Sequence, residues 1–280
     1  LMLLAIPELL AETGLIHGFS TLALGSMRED SARHDFVVQL GLDPARLTVI
    51  SKAVHGVDLL RVDRSLNQVT GCDGLITAVP GLSLMALFAD CRPLILYATA
   101  PDRETGAVAL CHAGWQGAAR GMAKAGVAAL TREYGCQPSE IKVGIGPGIC
   151  ADCYEVGPEV SCLFPDSCSR ASRDDRRLLD LVAVHRLQLI EAGVLSDQIF
   201  VHPACTKESP ELPSHRGNPD GIRFACLVAL RDEGSYRQML AEGRITPAEA
   251  HWSTLPKPRP LRSGERPLSE VLADMRADER

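Results

Sequence analysis

The chain is expected to form an α+β fold of mixed sheets with helices packed outside them, on two observations. Short apolar runs bounded by Gly, Pro or Asp recur at residues 82–88, 94–98 and 107–111, the pattern of buried strands. After the third run, a helical stretch from Gly117 to about Tyr134 ends at Gly135 and leads into the strand-like residues 141–146. That strand, helix, strand unit requires a sheet with a helix on its face.

Taken in order, residues 15–20 form a first, weaker strand and residues 30–41 a helix; 47–50, 57–62 and 73–77 are further weak strands. Beyond 141–146, a helix is expected over 177–192, where Leu178, Leu181, Val182, His185, Leu189 and Ile190 recur near helical spacing before Gly193. Strands return at 198–202 and 223–230. From about Gly234 the composition changes, with Pro256, Pro258, Pro260 and Pro267 set among Lys, Arg, Ser and Gly, as in an extended linker. Leu268, Val271, Leu272 and Met275 then lie at i, i+3, i+4 and i+7, an amphipathic helix too short to stand alone. The expected division is a domain over 1–233 and a proline-rich tail with a short helix over 234–280.

Composition narrows the function. The 280 residues carry a net charge of −6, which supplies no basic footprint for a nucleic acid. Ten scattered cysteines fit a reducing, cytoplasmic setting better than a disulfide scaffold. The apolar start lacks a positive leading region and is broken by Pro7 and Glu8, so neither a leader nor a membrane partner is expected. No stretch reaches the roughly 18 apolar residues of a membrane span.

Three stretches carry the chemistry: Val54-His55-Gly56, Ala89-Asp90-Cys91-Arg92-Pro93 and Cys111-His112-Ala113-Gly114-Trp115. His55, Cys91 and His112 are the mixed nitrogen and sulfur set that a zinc ion with one open position takes. A buried thiol and hydrogen-bonded core histidines are the alternative, because no local metal motif joins residues so far apart. Cys91 and His112 each follow an apolar run expected to end at a sheet rim, where ligands collect in open sheets. Asp90 is placed as an outer carboxylate that orients a ligand histidine or a substrate hydroxyl, or else as a strand-end cap. Gly144, Gly146 and Gly148 around Pro147 form a turn whose amides could face a phosphate or a substrate oxyanion, or a tight turn that only needs glycine; Tyr154 and Glu155 follow closely as substrate contacts, with Tyr154 as core filler the alternative. Cys150-Ala151-Asp152-Cys153 has redox-dithiol spacing, a pattern that also arises by chance among ten cysteines. The chain lacks the H-x-E and P-C-x-x-C pair of zinc base deaminases, and has neither H-E-x-x-H nor G-x-S-x-G.

The set His55-Gly56, Ala89-Asp90-Cys91-x-Pro93, His112-Ala113-Gly114-Trp115-x-Gly117, Gly146-Pro147-x-Ile149 and Cys153-Tyr154-Glu155-Val156-Gly157 resembles the YfiH family, also called laccase-domain or multicopper polyphenol oxidase-like. The likeness runs over roughly residues 15–230, including His17-Gly18-Phe19-Ser20-Thr21, Cys205-Thr206 and Ser214-His215-Arg216. It implies a four-layer α/β/β/α sandwich with zinc on His55, Cys91 and His112. It also implies phosphorolysis of adenosine, inosine and methylthioadenosine, with adenosine deamination beside it. Copper is the alternative metal carried by the older family label, but eight histidines without a single H-x-H pair argue against laccase chemistry.

Two departures bear on phosphate. Gln116 stands where the family has arginine, and Leu22 replaces the arginine after the early Ser-Thr, so Arg216 is the candidate to restore positive charge. The tail, from Ala241-Glu242-Gly243-Arg244 to Leu268-Ser269-Glu270-Val271-Leu272, is similar to the end of a Phd-type antitoxin, which implies a protein partner for residues 245–280. The leading expectation is a zinc-dependent purine nucleoside phosphorylase with adenosine deaminase activity, using nucleoside and phosphate. Cys91, Asp90 and His112 would be its catalytic residues, and Gly146, Tyr154 and Arg216 its substrate contacts. The alternatives are a Cys91-based amidase in peptidoglycan precursor editing, and a weakened enzyme domain whose tail binds a partner.

Overall fold

The computed structural model describes residues 3–99 and 106–232. The expected linker, terminal helix and partner segment of the tail lie outside those residues. Fifteen strands are described: β1 Leu3–Leu4, β2 Leu15–Ser20, β3 Leu47–Lys52, β4 Leu59–Arg61, β5 Asn67–Thr70, β6 Gly74–Thr77, β7 Ser83–Phe88, β8 Arg92–Ala98, β9 Ala107–Ala113, β10 Ile141–Ile145, β11 Glu155–Val156, β12 Ser169–Ala171, β13 Arg177–Leu179, β14 Ile199–Val201 and β15 Phe224–Leu230. The helices are α1 Pro7–Leu10, α2 Asp30–Gln39, α3 Trp115–Ala119, α4 Met122–Tyr134, α5 Pro158–Ser161 and α6 Leu181–Glu191.

Two six-stranded mixed sheets carry the fold, in the orders β1-β2-β15-β7-β3-β5 and β14-β10-β8-β9-β6-β4. In the first, β3 runs parallel to β5 and β7; in the second, β10 is parallel to β14 and β4 to β6, and the remaining pairs are antiparallel. The strand, helix, strand unit is β9, α4, β10, with β8 lying between its two strands. Alternation along the strands sorts the side chains. Leu84, Ala86 and Phe88 of β7, Ile95 and Tyr97 of β8, Val108 and Leu110 of β9, and Phe224, Cys226 and Val228 of β15 form one core. Their neighbours point the other way: Met85, Ala225 and Leu227 meet Phe36 and Val37 of α2. Leu94, Leu96, Ala109 and Cys111 meet Val127 and Leu130 of α4 and Leu189 of α6.

Three local expectations need correction. The helix expected from Gly117 is two helices, α3 and α4, because Gly121 takes the left-handed conformation at φ +85° between them. The helix expected over 177–192 begins only at Leu181, where the Asp180 carboxylate accepts the Ala183 amide as an N-cap. Residues Arg177–Leu179 instead pair with β11 and β12 in a small third sheet absent from the sequence reading. Finally, β9 continues through Ala113, so His112 lies inside the strand and not beyond its end.

Phe88 ties core to site: fully buried, it packs on Phe224 at 5.6 Å and stacks on the His112 ring at 5.1 Å between centroids. Phe88→Ala should lower unfolding free energy by about 3–5 kcal/mol, read from denaturant midpoints at unchanged slope, and Phe88→Leu should restore most of the loss.

Candidate active site

Two of the three expected ligands sit where the chain crosses from one large sheet to the other. β3 and β7 are parallel neighbours in the first sheet; His55 lies between β3 and β4, and Cys91 between β7 and β8. His112 comes from β9, opposite Pro93, on the side of that strand facing the core between the sheets. One donor atom from each of His55, Cys91 and His112 lies within 4.8 Å of the other two. The imidazoles of His55 and His112 meet edge to face at 5.2 Å.

Asp73, which the sequence reading did not single out, shapes this site. Its fully buried carboxylate accepts the amides of Val54 at 3.0 Å, His55 at 2.9 Å and Gly56 at 2.7 Å, and its carbonyl accepts the His112 amide at 2.7 Å. These bonds hold His55 at φ +59°, a conformation costly for a non-glycine residue. Asp73 Oδ1 also stands 3.5 Å from His112 Nδ1, a charge contact too long for a strong hydrogen bond. That nitrogen is buried and has no well-aligned acceptor.

Burial opposes charge on both Cys91 and His112, but each favours the ionised form of the other. His112, followed by His55, brings the Cys91 thiol down to about 6. The Cys91 thiolate and Asp73 raise His112 to about 9. Asp73 itself is desolvated, yet His112 and the Gly56 and His55 amides hold it below the usual carboxylate range. A thiolate between two imidazoles is the donor chemistry a divalent ion requires, and zinc bonds of about 2.0–2.3 Å place this set near ligation reach. The residues therefore fit a three-ligand metal centre. Gly114 leaves room for it, since a Cβ there would meet Cys91 Sγ at 2.5 Å.

Asp90 does not take the orienting role toward a ligand histidine; Asp73 is the carboxylate beside His112. Asp90 Oδ1 accepts the hydroxyls of Thr206 and Ser214, each at 2.7 Å, and Oδ2 accepts the Arg216 amide at 2.6 Å. It thus anchors the loop that presents Arg216, from a backbone at φ +83°. The glycine turn is also corrected as a phosphate cradle. Gly146 donates to Pro93 O at 2.8 Å and Ile149 to Asp90 O at 2.9 Å, while Arg92 binds the Gly146 and Ile149 carbonyls. A Cβ on Gly146 would meet Phe19 and Pro93 at 2.5 Å, so Gly146 is a packing position and no substrate contact.

The three ligands open onto a cavity of about 650 Å³ also lined by Arg28, Lys52, Trp115, Tyr154, Arg216 and Arg223. Tyr154 and Arg216, both expected as substrate contacts, thus lie together on its wall. The Arg216 guanidinium lies over the Tyr154 ring at 5.1 Å and donates to Glu155 O at 2.8 Å. Arg28, Lys52 and Arg223 were missed, because isolated basic residues far apart in sequence give no local signal. Asp90 is the one carboxylate among the described lining residues, and its oxygens are engaged. Gln116 lines the cavity, whereas the exposed Leu22 is not among its lining residues.

Mixed, largely antiparallel sheets with helices outside them and a metal-type triad at the sheet crossings describe an α+β enzyme domain. Residues 21–231 match the family of multi-copper polyphenol oxidoreductase laccases, and the chain belongs to that family. It is similar to the purine nucleoside phosphorylase ORF3 of Streptomyces griseus, 35% identical over 215 residues covering 74% of this chain and 82% of the relative. Adenosine deaminase RL5, from an unknown prokaryotic organism, is 31% identical over 200 residues, covering 65% of this chain and 73% of RL5. The crystal structure of the hypothetical protein YfiH of Bacillus licheniformis superposes with a TM-score of 0.73 at 27% identity, covering 82% of this chain and 97% of that one. No helix of the described residues is long and apolar enough to cross a membrane.

Two substitutions probe the geometry. Gly114→Ala should displace Cys91 and reduce bound metal by at least about tenfold with far-ultraviolet circular dichroism unchanged. Asp73→Asn, which removes the charge beside His112, should weaken metal retention by about 10- to 100-fold in chelator competition.

Proposed function

We propose that the chain is a zinc-dependent purine nucleoside phosphorylase that also deaminates adenosine. The observation that carries this reading is the convergence of His55, Cys91 and His112 on the floor of a cavity rich in cations. The names of its relatives supply the substrate class. His55, Cys91 and His112 would hold the ion, which when bound supplies Lewis-acid polarisation of an oxygen nucleophile or substrate oxygen.

The chain's own groups do the rest. Arg28, Lys52, Arg216 and Arg223 set a positive field for phosphate in a molecule that is negative overall, which answers the losses at Gln116 and Leu22. Trp115 and Tyr154 offer aromatic faces to a purine. Burial holds the Tyr154 hydroxyl protonated, above its ordinary range, so it can donate to a substrate acceptor. Asp90 positions Arg216 through its backbone bond. Phosphate attack at the anomeric carbon yields free base and ribose 1-phosphate; attack by water at the amino-bearing ring carbon yields inosine and ammonia.

A second reading rests on the contact between Cys91 and His112, which also suits a thiol nucleophile acting on an amide. Zinc-free protein with undiminished amide hydrolysis would select it.

Incubation with adenosine, with and without phosphate, should give phosphate-dependent adenine and ribose 1-phosphate together with some inosine; Cys91→Ala should lose turnover and the ion held with His55 and His112. Full activity in Cys91→Ala would overturn the assignment. Arg223→Gln should raise the KM for phosphate by about tenfold or more, the equivalent of one charge-assisted contact of about 1.5–3 kcal/mol, with the KM for nucleoside little changed.

A further inference from the structure

Outside the cavity lining, a second donor group converges. Cys150 precedes and Cys153 ends the short turn Ala151–Cys153, Cys205 follows β14, and Glu208 lies one turn beyond it. One donor atom from each of the four lies within 4.8 Å of the others. Glu208 Oε1 is 3.4 Å from Cys153 Sγ, and Oε2 is 3.8 Å from Cys150 Sγ. The Cys150 amide donates to Cys205 Sγ at 3.3 Å, an N–H···S bond of the kind that supports metal-bound thiolates. The backbones are fixed independently: Gly148 bridges Cys205, Gly148 N donates to Ala204 O at 3.4 Å, and Thr206 N to Gly148 O at 3.2 Å.

Three sulfurs and one carboxylate complete a four-ligand shell, whereas His55, Cys91 and His112 leave a position open. Soft sulfur ligands select zinc over magnesium or calcium. We propose that Cys150, Cys153, Cys205 and Glu208 bind a second, structural zinc ion that staples the loop of residues 146–156 to the loop of residues 202–216. Both loops serve the cavity. Tyr154 directly follows Cys153, and Thr206, next to Cys205, donates to the same Asp90 carboxylate that holds Ser214 and Arg216. The ion therefore fixes Tyr154 and Arg216 from behind while taking no part in the chemistry. The C-x-x-C spacing belongs, on this reading, to a metal knuckle and not to a redox dithiol.

The test uses the full chain purified under reductant. Zinc should slow alkylation of Cys150 and Cys153, resolved by mass spectrometry, at least tenfold, and a chelator should restore it; the exposed Cys162 serves as the internal reference. Wild type should hold two zinc ions, and Cys91→Ala and Cys205→Ser one each. Cobalt in Cys91→Ala should give the intense sulfur-to-metal absorption of a thiolate-rich tetrahedral site. If Cys205→Ser fails to fold, Glu208→Gln, at an exposed position, should show weakened cobalt binding instead. Absence of zinc protection at Cys150 and Cys153, or a Cys150–Cys153 disulfide persisting under reductant, overturns the proposal. Protection there with only one ion bound, and none at Cys91, would instead count against the first centre and leave this one standing.

Discussion

The buried Asp73 carboxylate is the constraint on which the site depends. A carboxylate with no solvent exposure is costly unless its oxygens are bonded, and here the bonds come from three consecutive amides of one loop and the charge contact of one histidine. The requirement runs both ways. The loop over Val54–Gly56 has no strand partners for these N–H groups, and His55 takes a left-handed conformation that only an over-determined surrounding can hold. One side chain thus satisfies a loop, holds His55 in its left-handed conformation and favours the charged form of His112.

The sheet architecture explains why such distant residues meet. The sheet crossings after β3 and β7 arise from adjacent parallel strands, so they leave the first sheet together. His112 arrives from a central strand of the second sheet, opposite Pro93, which follows Cys91 by only two residues. Crowding at this junction is severe enough that Gly114 and Gly146 are needed for space, at φ values any residue could adopt. Their presence in the motifs reflects close packing against Cys91 in one case and Phe19 with Pro93 in the other.

This separates what the sequence disclosed from what it concealed. The buried strands β7, β8, β9 and β15 announced themselves as apolar runs, since both their faces are covered. β5 did not, because Asn67–Thr70 is a polar, mostly exposed edge strand. The third sheet was hidden by helical periodicity in 177–192, which runs on through the Arg177–Leu179 strand into the helix capped by Asp180. His55, Cys91 and His112 were legible through residue type and glycine context. Asp73 was not: a lone aspartate after Cys72 reads as turn chemistry, and only the fold shows four backbone N–H groups bonded to it. Asp90 was legible as a strand-end carboxylate, but its bonds to Thr206, Ser214 and Arg216 were not, because those partners lie more than a hundred residues away.

Charge supply at the cavity shows how the same task can move between positions. Gln116 and Leu22 are uncharged at two positions where the resemblance implies arginine, which, residue by residue, argues against an anionic substrate. In three dimensions the balance reverses. Arg28, Lys52, Arg216 and Arg223 reach the lining from four separate segments, while the single acid, Asp90, has its oxygens bonded to Thr206, Ser214 and Arg216. Arg223 is half-buried; burial first and the nearby Arg28 second lower its pKa, while Asp220 and Asp90 act against them, so Arg28 and Arg223 are close enough to repel. Such a pair is unfavourable in isolation and favoured once an anion lies between or beside it. The cations that could meet an anion are therefore set by which segments reach the cavity, and these four come from stretches that share no motif.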